Sequence, residues 1–190
     1  RQRQMCIRDR VTGAGPIGLL TIAAARHAGA SIIVATDLTD AALERAPAMG
    51  ADRTINVAKD AEALLPYQDD KGYFDVIFDC SAAAPALRTA FACVRPRGTI
   101  VQVGVTGDIT IPLNALVGKE ILWRGSQRFH DEFAIAAGLI STRKIDVRPI
   151  ISHSFPLDEA KAAFEQAGDR STACKVQLTF SADGIFEDER

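Results

Sequence analysis

The stretch that decides the fold is VTGAGPIGLL at residues 11–20. Its glycines, Gly13, Gly15 and Gly18, have the spacing G-x-G-x-x-G, which suits a tight turn, a close approach of the backbone to a phosphate, and close packing of a helix on a strand. The spacing alone is weak evidence. Here a predicted strand precedes it, a helical pattern at residues 17–28 follows it, and Asp37 ends the next predicted strand. This combined context predicts a dinucleotide site.

Within that site the charge of Asp37 favours one cofactor. Phosphates would lie at the amino terminus of the helix, where backbone N–H groups and the helix dipole favour an anion. Asp37 would accept hydrogen bonds from the adenosine ribose and would repel a 2′-phosphate, and neither Leu38 nor Thr39 supplies a compensating positive charge. We therefore expect NAD rather than NADP. The alternative is a glycine turn in an α/β protein that binds no nucleotide.

The rest of the chain alternates short apolar runs with helical patterns, which indicates an α/β fold with a parallel sheet and crossover helices. The run at residues 31–36 is continuously apolar, as strands covered on both faces are. Pro47 is expected to end or kink the second helix early. We predict strands at residues 10–12, 31–36, 54–57, 74–79, 99–103 and 120–124, helices at 17–28, 40–49, 60–67, 85–94, 131–140 and 158–167, and extended chain at 149–154 and 175–180.

Composition excludes several classes of protein. The 190 residues are 47% hydrophobic with a net charge of −2, which allows a core and offers no charged field for nucleic acid or a membrane surface. No apolar run is long enough to span a membrane, and no secretory signal opens the chain. We expect a cytoplasmic protein. Its four cysteines are scattered, without the spacing of a disulfide framework or a thiolate zinc site: Cys6, Cys80, Cys93 and Cys174.

The segment at residues 1–10, RQRQMCIRDR, differs from everything that follows it. It has neither helical nor strand periodicity, and it is similar to translated sequencing-adapter sequence. We therefore predict that it is not native and exclude it from the fold. The alternative is a genuine basic arm.

Two further stretches are candidate site elements. Val103-Gly104-Val105 follows the fifth strand, at the sheet edge where ligands bind in such folds, although Gly104 could simply end the strand. Arg128, Phe129 and His130 follow the sixth strand and could bind the carboxylate of an acidic substrate or merely cap neighbouring carbonyls. We interpret Cys80, His27 and His153 as structural residues, and no trio of residues has the spacing of metal ligands.

With these residues identified, the chain resembles the carboxyl-terminal part of medium-chain, zinc-type alcohol and polyol dehydrogenases. The resemblance covers about residues 11–180, and GSQRFHDEF and IDVRPIIS are most similar to the L-idonate 5-dehydrogenase branch, followed by the sorbitol dehydrogenase branch. The motifs that carry it, in chain order, are VTGAGPIGLL, ATDL, MGAD, FDVIFDCS, RPRGTIVQVG, KE-x-x-x-RGS and FPLDEAKAAFE.

The resemblance implies a Rossmann sheet of strand order 3-2-1-4-5-6 and an NAD-binding domain at residues 11–127. Residues 128–181 would be the carboxyl-terminal segment of a chaperonin-10-like catalytic domain whose remainder, with its zinc ligands, lies upstream, and residues 182–190 would be a tail. Substrate would border Arg128, Phe129 and His130. By position, the cofactor contacts implied are Gly13, Gly15, Ile17, Gly18, Asp37, Val103, Gly104, Val105, Gln127, Arg128 and Phe129.

The activity implied for the parent enzyme is oxidation of a secondary alcohol of a sugar acid or polyol. Zinc would lower the pKa of the alcohol while a hydride passes to NAD. Without zinc ligands this chain alone would be inactive. The alternatives are a zinc-free quinone or enoyl reductase of the same superfamily and a non-enzymatic nucleotide-sensing domain.

Two expectations concern surfaces. The missing domain would leave apolar side chains exposed, and the sixth strand, at the sheet edge, suggests a homo-oligomer. The residues expected to be exposed are Phe133, Ile135, Phe155, Phe164 and Phe180.

Overall fold

The structure is a computed structural model that describes residues 7–169 and 171–180. Its main sheet has six parallel strands in the order β3-β2-β1-β4-β5-β6, as predicted. The strands are β1 (Arg8–Thr12), β2 (Ile32–Asp37), β3 (Arg53–Asn56), β4 (Phe74–Asp79), β5 (Val94–Gln102) and β6 (Leu122–Gly125).

Helices connect these strands, and a smaller unit follows them. Strands β7 (Ile151–Pro156) and β8 (Lys175–Thr179) form a separate parallel pair, against which the last helix packs. Short 3₁₀ turns at Glu62–Tyr67 and Asp69–Lys71 replace the predicted helix at 60–67. The helices are α1 (Pro16–His27), α2 (Asp40–Leu43), α3 (Ala84–Cys93), α4 (Leu113–Gly118), α5 (Glu132–Ser141) and α6 (Ala160–Gly168).

The core lies on both faces of the main sheet, which explains the continuously apolar run of β2. Ile33 and Ala35 belong to the cluster under α1, whereas Val34 belongs to the opposite cluster with Phe74 and Phe91. A parallel strand with helices on both sides buries successive side chains in opposite directions, so neither face can be polar. The fold class and strand order predicted from the sequence are therefore confirmed.

Local geometry explains where the predicted boundaries were wrong. The second helix ends at Leu43 rather than residue 49, because Pro47 lacks an N–H and its ring conflicts with the carbonyl four residues earlier. Strand β5 begins at Val94, five residues early, with an irregular stretch that includes Arg97 at a φ of 59°. Strand β6 begins at Leu122 rather than residue 120, since Glu120 has a φ of 52° that no strand accommodates.

The amino-terminal segment is partly inside the fold, which corrects its exclusion. Arg8, Asp9 and Arg10 lie in the central strand β1, and Arg8 forms an ion pair with Asp75 at 3.0 Å. Residues 1–6 and 181–190 lie outside the described residues, and with them most of the segment predicted to be non-native and the predicted tail at 182–190.

Asp9 and Arg10 do not suit their positions in the middle of the sheet. They are only 4% and 1% exposed, and Asp9 Oδ1 and Arg10 Nη1 have no hydrogen-bond partner among the described residues. Burial, helped by the nearby negative charge of Asp75, raises the pKa of Asp9 to about 6, against a smaller opposing effect of Arg26. A buried charge without a full set of partners costs stability.

Apolar side chains are exposed on the carboxyl-terminal elements. Phe133, Ile135, Phe164 and Phe180 are all more than 60% exposed, as predicted, whereas Phe155 is half-buried. Helix α5 has no buried residue at all. Within residues 7–169 and 171–180 there is no helix whose length and apolar character would allow it to cross a membrane.

The raised pKa of Asp9 predicts how the stability of the fold depends on pH. Because the folded-state pKa of Asp9 is raised from 3.8 to about 6, its protonated form stabilises the fold below pH 3.8, and that contribution is lost as the pH rises through 6. We expect Asp9→Val to remove this pH dependence and to raise the free energy of unfolding at pH 7 by up to about 3 kcal/mol. Urea unfolding of both proteins between pH 4 and pH 7 measures the difference, and parallel pH profiles would contradict the prediction.

Candidate dinucleotide site

The glycine turn between β1 and α1 has the geometry that its spacing predicts. Gly13 has a φ of 87°, and its N–H donates to the carbonyl of Thr36 at 2.8 Å. A β-carbon at Gly18 would lie 1.7 Å from the carbonyl oxygen of Gly13, so only glycine fits there. A β-carbon at Gly15 would meet no atom within 4 Å. Gly13 and Gly18 thus shape the turn, and Gly15 faces open space.

Helix α1 begins at this turn without a side-chain cap. Its first residue is Pro16, and no side chain accepts from its first N–H groups. Ile17 lies in this first turn and is largely exposed. Uncapped N–H groups at a helix amino terminus, together with the helix dipole, attract an anion such as a pyrophosphate.

Asp37 lies beside the turn, where β2 ends. Its Oδ2 accepts from the N–H of Ala14 at 2.7 Å, and its Oδ1 accepts from the N–H groups of Leu38 and Thr39 at 2.7 and 3.1 Å. Three main-chain donors therefore fix the carboxylate at the edge of the sheet, and Oδ2, which accepts from only one of them, keeps a lone pair for a further donor. A hydroxyl group of a bound sugar is a suitable donor.

A cleft of about 610 Å³ opens between the ends of the central strands. It lies where the strand order reverses, between β1 and β4, which is the ligand position general to open α/β sheets. Gly13, Gly15 and Asp37 line one part of the cleft, and Cys80, Ser81 and Ala86 line another. The structure therefore brings together the glycine turn and the acidic residue that the sequence paired.

Sequence reasoning missed a cation near this turn. Residues 41–43 contain no basic side chain, but Arg45 lines a small pocket with Ala14, Gly15 and Pro16, closed on its other side by residues 171–174. Arg45 is two residues beyond the end of α2. No local sequence pattern predicts that it lies beside the glycine turn in the folded chain.

The loop after β5 is held by the end of β4. The N–H groups of Val103 and Gly104 both donate to the carbonyl of Asp79, at 2.9 and 2.8 Å. A β-carbon at Gly104 would lie 2.7 Å from the nitrogen of Ala82, so the two loops are in close contact. Val105 is exposed. None of the three residues at 103–105 is among those lining the 610 Å³ cleft, which they adjoin through residues 80–82.

The residues after β6 lie on the surface of the described chain. Gln127, Arg128, Phe129 and His130 are all exposed and do not line it. Arg128 has a φ of 57°, and the ring of Phe129 lies 5.2 Å from that of Phe133 on α5. Sequence reasoning grouped these residues with the cofactor site, and they are not among the residues that line this cleft.

The thiol of Cys80 is suited to packing rather than to chemistry. Burial raises its pKa to about 11, and its Sγ lies 3.6 Å from the hydroxyl oxygen of Thr21. A thiol with a raised pKa is a poor nucleophile at neutral pH. His27 is exposed, and Nδ1 of His153 lies 3.0 Å from the hydroxyl oxygen of Ser152.

The described residues do not fit a zinc site. Within residues 7–169 and 171–180, no group of three or more His, Cys, Asp or Glu side chains lies close enough together to hold a metal ion. No zinc-dependent step is therefore assigned to these residues.

Comparison with known proteins places the chain in a family. Residues 16–142, more than half of the chain, match the family model for zinc-binding dehydrogenases. The chain belongs to the zinc-binding dehydrogenase family. The resemblance recognised from the sequence motifs is confirmed.

Relatives within the zinc-binding dehydrogenase family include two named sugar-acid and polyol enzymes. L-idonate 5-dehydrogenase (NAD(P)(+)) of Escherichia coli K12 is 37% identical over 171 residues, which is 90% of this chain and 49% of that protein. Sorbitol dehydrogenase of Gallus gallus is 30% identical over 177 residues, which is 88% of this chain and 48% of that protein. The chain spans about half the length of the curated relatives it matches.

Solved structures of zinc-binding dehydrogenases and related enzymes have the same fold. The crystal structure of the Escherichia coli L-idonate 5-dehydrogenase superposes with a TM-score of 0.87 at 37% identity, covering 93% of this chain and 51% of that one. An alcohol dehydrogenase of Escherichia coli CFT073, complexed with NADH, superposes with a TM-score of 0.82 at 25% identity, covering 92% of this chain and 52% of that one.

Alanine substitutions at two glycines of the turn are expected to have different effects on stability. Gly18→Ala should destabilise the fold by about 3 kcal/mol or more, because its β-carbon would collide with the Gly13 carbonyl. Gly15→Ala should change stability by less than about 0.5 kcal/mol, because its β-carbon meets open space. Urea unfolding measures both variants.

Cofactor titration of the same proteins separates folding from binding. We expect Gly15→Ala to weaken NAD binding about tenfold or more, since the added methyl occupies the space through which a phosphate reaches the helix. A Gly15→Ala protein that binds NAD as the parent chain does would contradict this role for Gly15.

Proposed function

We propose that the chain is the cofactor-binding part of an NAD-dependent, zinc-dependent dehydrogenase that oxidises a secondary alcohol of a sugar acid or polyol. The observation that carries the proposal is the fixed carboxylate of Asp37 beside the uncapped start of α1. A sugar acid related to L-idonate is the first choice of substrate, supported by the 37% identity to the Escherichia coli enzyme.

NAD is proposed over NADP because of the environment of Asp37. Its carboxylate is anchored by Ala14, Leu38 and Thr39, so it cannot rotate away from an incoming 2′-phosphate without losing these bonds. The charge repulsion would therefore remain in an NADP complex. The name of the Escherichia coli relative covers both cofactors, which makes the preference of this chain worth measuring.

In this proposal, the residues of this chain bind the cofactor and orient it. The N–H groups at the start of α1 hold the pyrophosphate, Asp37 accepts from the ribose hydroxyls, and Arg45 adds positive charge beside the glycine turn. The loop at 103–105 borders the nicotinamide half. Bound NAD supplies the acceptor for a hydride.

We also propose a division of the chain. Residues 11–127 form the NAD-binding domain, with Gln127, Arg128 and Phe129 reaching the cofactor only when the rest of the enzyme is present. Residues 128–181 belong to the catalytic domain, where Arg128, Phe129 and His130 border the substrate. The lack of any buried residue in α5, despite its apolar sequence, supports a covering partner for this segment.

A cytoplasmic homo-oligomer is part of the same proposal. Strand β6 is the last strand of the main sheet, and Leu122 within it is 58% exposed. On the adjoining helix α4, Leu113 and Val117 are exposed as well. An edge strand flanked by exposed apolar side chains supports pairing with another copy.

Cofactor preference tests the proposal directly. We expect the chain to bind NAD at least about tenfold more tightly than NADP, measured by calorimetric titration. In Asp37→Ser, we expect this ratio to fall to about threefold or less, because both the ribose acceptor and the repelling charge are lost. Asp158→Ser removes an exposed negative charge from the start of the carboxyl-terminal helical region and should leave the ratio unchanged. Failure of the folded chain to bind either nucleotide at millimolar concentration would refute the proposal.

Turnover tests the division of the chain. With NAD, added zinc and either idonate or sorbitol, we expect no NADH formation above the buffer rate, because the described residues do not fit a zinc site. Absorbance at the NADH wavelength measures this, on a sample already shown to bind NAD. Turnover that depends on added zinc would contradict the assignment.

A further inference from the structure

Asp79 and Gln102 face each other at the carboxyl ends of neighbouring strands. They are register partners in the pairing of β4 with β5. The carboxylate of Asp79, whose residue is only 1% exposed, accepts from the hydroxyl of Ser81 at 2.7 Å and from Nε2 of Gln102 at 2.8 Å. A buried carboxylate with two side-chain donors forms a rigid link between the two strand ends.

Gln102 extends this link to the loops on either side. Its Nε2 also donates to the carbonyl of Gly104 at 2.9 Å, and its own main-chain carbonyl accepts from the N–H of Ser126 at 2.9 Å. The orientation of the amide is fixed, because a flipped amide would direct its oxygen at two acceptors. Gln102 therefore connects the end of β5 to the loop at 103–105 and to the residues after β6.

The amide of Gln102 uses its nitrogen for both bonds and leaves its oxygen unpaired within the described part of the chain. In its fixed orientation Gln102 leaves Oε1 buried without a partner among the described residues. An apolar side chain at this position would avoid that loss but would leave the buried carboxylate of Asp79 and the carbonyl of Gly104 without this donor. The amide of Gln102 is therefore held for its two donated hydrogen bonds, one to the strand end and one to the loop.

The bonds of this pair fix a short loop and leave three of its main-chain groups without a hydrogen-bond partner among the described residues. The main-chain carbonyl of Asp79 accepts hydrogen bonds from the N–H groups of Val103 and Gly104, and Nε2 of Gln102 donates to the carbonyl of Gly104. Within the described residues, the carbonyls of Val103 and Val105 and the N–H of Val105 make no hydrogen bond. A carboxamide has both a donor and an acceptor, so it could pair with the N–H and with a carbonyl of this loop.

We propose that Asp79 and Gln102 are positioning residues that hold the loop at 103–105 for the nicotinamide half of the cofactor. The inference rests on the proposed function. Asp37 marks the adenosine side of the glycine turn, so the other half of the cofactor lies across the cleft, towards the ends of β4 and β5. The pair acts through the loop and does not itself touch the cofactor.

The test compares NAD with ADP-ribose, which lacks only the nicotinamide. In Gln102→Met, a side chain of similar length without amide donors, we expect NAD binding to weaken about five- to tenfold, the effect of losing about one hydrogen bond. Binding of ADP-ribose should stay within about twofold, because the adenosine side is unchanged. Asp79→Asn, which keeps the shape and removes the charge, should show the same selective loss.

Controls separate positioning from folding. The melting temperature of Gln102→Met should fall, since the buried carboxylate of Asp79 and the carbonyl of Gly104 lose this donor, and unchanged ADP-ribose binding shows that the variant is folded at the assay temperature. Gln68→Met, the same substitution at a position outside the cleft, should leave the affinities for both ligands unchanged.

The possible outcomes have distinct meanings. Equal weakening of NAD and ADP-ribose binding in Gln102→Met, or no weakening of either, overturns the positioning role while leaving the proposed function intact. Equal affinity of the unmodified chain for the two ligands also overturns it, since the loop then holds no nicotinamide. Failure of the unmodified chain to bind either ligand refutes the proposed function itself.

Discussion

The contact between Gly18 and the carbonyl of Gly13 is the constraint on which the site depends. It allows α1 to start directly over the end of β1, so that the uncapped N–H groups of the helix point at the place where the strand order reverses. The position of Asp37 follows from the same geometry, because Ala14 within the turn donates to its carboxylate. A larger side chain at residue 18 would move the helix, and the phosphate site and the ribose acceptor would lose their alignment.

Much of this fold could be predicted from the sequence because its central strands are covered on both faces. Runs such as FDVIFD at β4 are short and apolar, and the predicted bounds match the observed Phe74–Asp79. The glycine turn was equally predictable, since Gly13 and Gly18 meet local backbone requirements, a positive φ and a close contact with the strand end. Predictions were weaker where tertiary context decides, as at Glu120, whose positive φ delays β6, and at Pro47, whose effect on α2 was foreseen but not its extent.

The residues that sequence analysis missed share one property. Arg45, Asp79 and Gln102 acquire their roles from partners far along the chain, and no short motif contains both partners. Gln127, Arg128 and Phe129 were assigned to the cofactor by the family resemblance; they are exposed here and do not line the cleft, so their assignment stays a prediction. Strand β1 shows a third limit, because Asp9 and Arg10 are residues that local preference excludes from a central strand and that nonetheless occupy it.

The two aspartates at the ends of β2 and β4 differ in burial, and the difference decides which of them can contact a ligand and which can only position its neighbours. Asp37 is anchored mainly by main-chain donors, lies at the cleft and keeps a lone pair on Oδ2, so it can contact a ligand. Asp79 is buried, and its carboxylate accepts hydrogen bonds from Ser81 and Gln102. It can therefore affect a ligand only through the loops that follow these two residues. Identical side chains at equivalent strand ends therefore have different roles, because one remains open to the cleft and the other is enclosed by its neighbours.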